Sequence, residues 1–180
     1  LARFFNETLG FPPNSVLTMQ RRPEIAKAFI ALNKAVMLNA GRVSSEQKRL
    51  IGYIASLTAG CRYCQAHTAR AAERYGGSDE RLAEIWNYER SELFTPAEKA
   101  AFAFAQAAAS VPNAVDEKIG AELRKHWTDE EIVEIPGVVA PVRDLKRWND
   151  AMATTIEAGA VESGLKHLSA RGWAPGKHGG

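Results

Sequence analysis

The sequence predicts an all-α protein of about eight helices, folded as a single domain over residues 1–180. Ala occupies 30 of the 180 positions, and Ala is the strongest helix former. Apolar residues recur at intervals of three and four, which is the spacing of a helix with one buried face. The alternating Val and Ile runs typical of strands are nearly absent. The chain is also long enough to bury a core without disulfides.

The first half is predicted to contain four helices, each with a recognisable beginning or end. One begins at Pro23, buries a stripe of apolar residues and ends at Asn39-Ala40-Gly41. The next begins at Ser44, which has capping-box spacing to Gln47, and ends at Gly60. A third runs from about residue 61 to 75 and a short fourth follows Ser78. The predicted stripe of the first helix consists of Ile25, Phe29, Leu32 and Val36.

The second half, about residues 95–165, contains no cysteine and is also predicted to be helical. Thr95 and Glu98 form a capping-box pattern before an Ala-rich run, and a helix over about 116–127 follows. Another helix begins at Thr128, and its interior prolines predict a break or kink between residues 134 and 143. The helical pattern resumes over 142–157, and a frayed tail is expected from about 171. Because the runs headed by Ser44 and Thr128 resemble each other loosely, a degenerate duplication of one helical unit is conceivable.

Charge and hydropathy exclude several classes of function. Lys and Arg total 23 against 21 Asp and Glu, a net charge of +2, and no basic run forms a nucleic-acid footprint. No stretch approaches the roughly 20 apolar residues of a membrane span. The first residues lack the layout of a secretory signal. We therefore expect a cytoplasmic protein that binds neither nucleic acid nor membrane.

Both cysteines lie in the segment GCRYCQAH, residues 60–67, where Cys61 and Cys64 are followed by His67. If Cys61 begins a helix, Cys64 lies one turn later on the same face. The free N–H groups and dipole at a helix N-terminus favour thiolate over thiol. His67 lies one further turn along, where it can exchange a proton with Cys64. The pattern is typical of a reactive dithiol that cycles through a disulfide.

Two other interpretations of this segment stay open. A metal clip requires about four ligands, and the remaining histidines form no second paired motif, so no metal site is predicted. A structural disulfide, or two merely buried thiols, would also produce two cysteines at this spacing, although so short a loop stabilises a fold little. A redox-active pair is the interpretation that the sequence favours.

The segment EQKRLIGYIASLTAGCRYCQAHTARAAERY, residues 46–75, resembles the carboxymuconolactone decarboxylase/alkylhydroperoxidase D-like (AhpD-like) family, as do the later stretches TPAEKAAFAFAQAA and KRWNDAMAT. The resemblance implies an AhpD-like helical bundle and an antioxidant peroxidase that reduces hydrogen peroxide or organic peroxides. It implies no metal, flavin or haem cofactor. It further implies a dithiol reductant as partner and a homo-oligomer, a trimer or hexamer.

The resemblance also implies roles for individual residues. Cys64 would attack the peroxide, Cys61 would resolve the resulting sulfenic acid to a disulfide, and His67 would relay protons. The family's relay glutamate precedes the first cysteine by twelve residues, a position held here by Arg49, and a guanidinium cannot act as a base. Glu46, one turn earlier, is the candidate replacement.

Arg49 and Thr68 are candidates for tuning the thiol pKa values, Thr68 because it occupies the usual family position of the histidine. The missing glutamate also supports an alternative. In that alternative the protein is a non-catalytic helical oligomer, or a slow thiol–disulfide partner, with a vestigial cysteine pair.

Overall fold

The computed structural model describes residues 2–38 and 41–180, and within them it is all-α, with no strand. The predicted fold class is therefore confirmed, with ten α-helices in place of about eight. They are α1 Ala2–Leu9, α2 Asn14–Met19, α3 Pro23–Met37, α4 Ser45–Ala59, α5 Arg62–Arg74, α6 Asp79–Glu84, α7 Pro96–Ala109, α8 Glu117–His126, α9 Asp129–Met152 and α10 Ala158–Leu168. No helix of the described residues is both long and apolar enough to cross a lipid bilayer.

Helix α4 forms the centre of the molecule and packs against α5, α7 and α9. Ser44 accepts a hydrogen bond from the Gln47 amide at the beginning of α4, and Gly60 ends it in the left-handed conformation at φ 71°. These are the boundaries that the sequence predicts. Neighbouring helices surround α4, so it is buried on almost every side. Even its charged residues Lys48 and Arg49 are buried.

Helix α3 begins as predicted, but its buried face differs from the predicted stripe. Ala26 and Ile30 are buried, whereas Ile25 and Leu32 are 46% and 47% exposed. Phe29 packs against a cluster formed mainly by α1, α2 and α3. The expectation for Ile25 and Leu32 was wrong because apolar spacing defines a stripe but not which neighbour covers it. The helix ends at Met37, and the predicted stop at Asn39 and Ala40 lies outside the described residues.

Helix α9 is continuous through Pro136 and Pro141, so the predicted break is wrong. Each proline removes one backbone hydrogen bond, but the helix packs along its length against α2, α3, α4, α5, α7 and α8. This packing holds the segment helical. The helix then ends earlier than the pattern over 142–157 suggests, because Ala153 adopts a left-handed conformation at φ 46°. Residues 154–157 form a non-helical connection to α10.

The C-terminal segment is packed against the domain, which corrects the expectation of a frayed tail from about residue 171. Trp173 and His178 are buried. The Ile156 amide donates to the His178 carbonyl at 2.9 Å, and His178 Nδ1 lies 2.8 Å from the Thr154 carbonyl oxygen. The segment thus holds the 154–157 connection in place beside α5.

Candidate active site

The two cysteines lie in contact at the N-terminus of α5. Cys61 is the N-cap residue, and its Sγ accepts a hydrogen bond from the Cys64 amide at 3.2 Å. Cys64 Sγ lies 2.6 Å from Cys61 Sγ, and both cysteines are free and buried. A disulfide between them requires only a small side-chain movement.

The two thiols have different electrostatic environments. The hydrogen bond from the Cys64 thiol, together with that from the Cys64 amide, lowers the pKa of Cys61. Burial is the main cause that raises the pKa of Cys64 well above its usual value, although the neighbouring Asn149 side chain acts in the opposite direction. Cys61 is therefore the more acidic thiol of the pair, and Cys64 is the one that holds its proton more strongly.

A largely apolar cavity of about 110 Å³ lies beside Cys64. Its walls come from α1 to α5 and from α9 and include several aromatic rings, such as Phe4, Phe5 and Phe29. Cys64 and His67 line the cavity, whereas Cys61 does not. Its position on the cavity wall therefore favours Cys64 as the sulfur that attacks a substrate, whereas the lowered pKa favours Cys61.

His67 forms a buried pair with Glu157, which reaches the site from the connection before α10. His67 Nε2 lies 2.6 Å from Glu157 Oε2, and His67 Nδ1 lies 2.8 Å from the Tyr63 carbonyl oxygen. The Tyr63 hydroxyl donates to Glu157 Oε1 at 3.3 Å, and its ring stacks on the imidazole with centroids 4.0 Å apart. These contacts fix both the position and the orientation of the imidazole.

The same contacts place the protons of the pair. The Tyr63 carbonyl only accepts, so His67 Nδ1 donates to it, and the contact of Nε2 with Glu157 Oε2 joins the imidazole to the carboxyl group. Burial by itself would raise the pKa of Glu157, but His67 and the Asn14 amide lower the pKa below its usual value. The pair can accordingly accept or donate a proton at the edge of the cavity.

The structure brings some of the other predicted site residues to the cavity and leaves one away from it. Arg49 and Thr68 line the cavity. The Thr68 hydroxyl donates to the Cys64 carbonyl at 2.8 Å and so bonds the backbone, not the thiol. Glu46 is an ion-pair partner of Arg81 at 2.9 Å and is absent from the cavity wall. Glu157, and not Glu46, is the carboxylate in contact with His67.

Sequence reasoning missed Glu157 and favoured a packing role over a site role for the segment that contains Asn149. Asn149 is fully buried beside Cys64, and it belongs to the RWND segment, which resembles a packing motif in the sequence. Neither residue has a local sequence signal, because both approach α5 from elements far along the chain. A single Glu before a predicted helix indicates only the beginning of that helix and gives no sign of a site.

Elsewhere, the described residues include one group whose ligand atoms lie close enough together to hold a metal ion. It consists of Glu73, Asp79 and His167. Glu73 already contacts Ser163 and His167, and Asp79 pairs with Lys166 at 2.8 Å. The group thus has internal partners and lies away from the cysteine pair.

Several solved structures share the fold of this chain. The debrominase Bmp8 is 33% identical, over 91% of this chain and 88% of that chain, with a TM-score of 0.86. A cysteine-to-alanine variant of Bmp8 in complex with 2,3,4-tribromopyrrole matches with a TM-score of 0.85. A peroxidase-related protein from Ralstonia eutropha JMP134, an alkylhydroperoxidase AhpD core, is 25% identical over 83% of this chain and 80% of that chain, with a TM-score of 0.71.

Two sequence comparisons also find relatives of this chain. The uncharacterized protein YnjA of Escherichia coli (strain K12) is 31% identical over 93 residues, which is 51% of this chain and 50% of YnjA. The match thus spans half the length of that relative. Residues 23–107 match the carboxymuconolactone decarboxylase family, and this region includes α3 to α7 and the cysteine pair. Together with the all-helical fold shared with AhpD-like structures, the match establishes that this chain belongs to the carboxymuconolactone decarboxylase family.

Proposed function

We propose that this protein is a dithiol oxidoreductase that reduces a small apolar substrate, in the first instance an organic hydroperoxide, by cycling Cys61 and Cys64 between dithiol and disulfide. The observation that carries the proposal is the position of Cys64, which lines an apolar cavity while touching Cys61. The buried His67–Glu157 pair on the same side supplies the proton donor and acceptor.

The chemical steps balance without a further cofactor. The Cys64 thiol passes its proton to the Cys61 thiolate or to the His67–Glu157 pair, and the Cys64 sulfur attacks the terminal peroxide oxygen. The O–O bond breaks, and the alkoxide takes a proton to leave as the alcohol. Cys61 then attacks the sulfenic acid on Cys64, so that the S–S bond forms and hydroxide leaves, protonated to water. An external dithiol reduces the disulfide by exchange.

The cavity favours organic hydroperoxides over hydrogen peroxide. Its lining is almost entirely apolar, and burial of an alkyl or aryl group there gains about 0.8 kcal/mol per CH₂ group. Hydrogen peroxide has no apolar group to bury. The broader antioxidant activity suggested by the sequence, which included hydrogen peroxide, therefore narrows to the organic class in this proposal.

A second candidate function is reductive removal of bromine from a small aromatic ring. The specific observation is the 33% identity to the debrominase Bmp8 over most of both chains. The aromatic side chains of the cavity wall suit a ring of that kind. In this reaction the C–Br bond breaks, a C–H bond forms and bromide leaves, while the dithiol supplies two electrons and becomes the disulfide.

Stopped-flow mixing of the pre-reduced protein with cumene hydroperoxide, hydrogen peroxide or 2,3,4-tribromopyrrole tests both functions. Thiols are counted by mass spectrometry and bromide is measured in the third reaction. Rapid loss of two thiols with cumene hydroperoxide, abolished in Cys64→Ser, supports the peroxidase. Loss of two thiols and release of bromide with 2,3,4-tribromopyrrole, but no reaction with either peroxide, supports the debrominase.

Thiols that persist with all three substrates would favour the alternative of a non-catalytic helical oligomer or slow thiol–disulfide partner. Arg49 in place of the family's glutamate was the reason for that alternative. Glu157 weakens it, because a carboxylate is present beside His67 after all. A dithiol reductant and a trimeric or hexameric assembly remain part of the proposal, and sedimentation analysis tests the assembly.

A further inference from the structure

Arg49 is a buried cation on the wall of the largely apolar cavity. Its side chain is 1% exposed and lines the same cavity as Cys64 and His67. Its Nη1 makes two long contacts of 3.4 Å, to the carbonyls of Met37 and Ser45. Its Nε and Nη2 have no hydrogen-bond partner among the described residues. Within that part of the chain, Arg49 also forms no ion pair with a carboxylate.

A guanidinium in this position is costly unless something else compensates its charge. Removing a charge from water costs several kcal/mol when it is unpaired. Burial lowers the pKa of Arg49, and the Tyr75 side chain offsets part of this effect through its hydroxyl and through its ring, whose centroid lies 4.0 Å from the guanidinium carbon. Stacking uses the face of the guanidinium, and its N–H groups, which lie in the plane, stay available for an acceptor.

Two other polar groups of the wall, Lys48 and Asn33, differ in whether they already have a partner. Lys48 pairs with Glu134 at 3.0 Å, so its charge is already balanced. Asn33 lines the cavity, and its Nδ2 is buried with no partner in the described part of the chain. Asn33 lies one turn before Met37, whose carbonyl contacts Arg49. Two unsatisfied donors therefore belong to the same region of the wall.

We infer that the cavity binds the anion of a small acidic molecule with an apolar body, its carboxylate or phenolate-type oxygen on Arg49 and Asn33. The inference rests on the proposed function and narrows its substrate to a small molecule that carries an acidic group besides the group that the dithiol reduces. A cavity of roughly 150 Å³ is known to hold benzene, so a cavity of about 110 Å³ limits the body to one small ring or a short aliphatic group. The rest of the molecule then lies in the cavity whose wall includes Cys64.

Calorimetric titration of the Cys64→Ser protein, which has no attacking thiol, tests this inference apart from turnover. The probes are benzoate, pentafluorophenolate, benzyl alcohol and benzylamine, which are similar in size and differ in charge. We expect at least one of the two anions to bind about 10- to 100-fold more tightly than benzyl alcohol, the range for a hydrogen-bonded charge. Benzylamine should bind more weakly than benzyl alcohol. The anion with the higher affinity distinguishes a carboxylate from a phenolate-type ligand.

Variants in the Cys64→Ser background locate the effect. Arg49→Met should abolish the preference for the anion and leave the affinity for benzyl alcohol within about twofold, while Arg49→Lys should keep a preference. Arg81→Met is the matched control, because Arg81 also stacks on a ring, that of Phe94 at 4.8 Å, but lies outside the cavity wall. It should leave the preference intact.

Equal affinities for anion and alcohol, or no binding of any probe at millimolar concentration, would overturn the inference. So would a preference that survives in Arg49→Met. If Arg49→Met does not fold, the probe series on the parent protein and Arg49→Lys still decides. Thiol oxidation of the wild-type protein by cumene hydroperoxide is measured separately, so failure of the proposed function and failure of this inference have different signatures.

Discussion

Glu157 Oε2 lies 2.6 Å from His67 Nε2 and joins two residues that are 90 positions apart in the chain. This contact restores a carboxylate to a site whose local sequence has Arg49 in the place of the family's relay glutamate. The carboxylate comes from the far end of the domain and is held by Tyr63 and by the Asn14 amide. The sequence had suggested Glu46 for this role, and Glu46 pairs with Arg81.

Glu157→Gln should slow oxidation of the thiol pair by cumene hydroperoxide by about 100-fold, because proton transfer by a positioned acid–base pair contributes that much or more. The substitution keeps the shape of the side chain and removes its charge. Stopped-flow thiol counting measures the rate. Glu73→Gln is the matched control, since Glu73 lies 2.7 Å from His167 Nε2 in a similar pair away from the cavity. An equal loss in both variants would show a general effect on folding and contradict the relay.

Glu157 should also contribute pH-dependent stability. Its pKa in the folded protein is lowered, so the stabilisation is present above its unfolded pKa, at about pH 4.3, and is lost as the pH falls through the folded value. Urea unfolding of wild type and Glu157→Gln at neutral pH should differ by on the order of 1 kcal/mol. The difference should shrink toward zero in acid. A difference that grows as the pH falls would contradict the lowered pKa.

Cys61→Ser and Cys64→Ser test whether the position on the cavity wall or the lower thiol pKa decides which sulfur attacks the peroxide. Only Cys64 lines the cavity, so Cys64→Ser should stop oxidation by cumene hydroperoxide. Cys61→Ser should still react once and then stop as a sulfenic acid, detected by mass spectrometry as a dimedone adduct. Peroxide-dependent oxidation of Cys61 in the Cys64→Ser protein would instead indicate that its lowered pKa decides which sulfur attacks.

Gly164→Ala should destabilise the protein by about 1–3 kcal/mol, the usual cost of overpacking. A Cβ at Gly164 would lie 2.5 Å from the Trp173 ring, which is the buried anchor of the C-terminal segment. Gly137→Ala is the comparison, because there a Cβ meets only Val36 at 3.6 Å. That change should stabilise helix α9 by up to about 1 kcal/mol. Thermal unfolding measures both, and equal effects would contradict the packed tail.

Local rules predicted much of the fold because they act within a few residues. Thr95 and Thr128 each form the full capping box that their spacing suggests, and Gly60 ends α4 where a left-handed residue is needed. The same rules failed at Pro136 and Pro141. There the local cost of an interior proline is outweighed by packing of α9 against six other helices, which no local pattern reveals.

By itself the sequence determined the helical class and the position of Cys61 and Cys64 at a helix N-terminus, because capping and helical spacing are short-range effects. Only the tertiary structure decided which charges meet the thiols and the cavity. It placed Glu157 against His67 and left Arg49 buried without a carboxylate partner among the described residues. Such contacts depend on burial and on how distant helices pack, so their energies belong to the assembled domain and not to any segment of it.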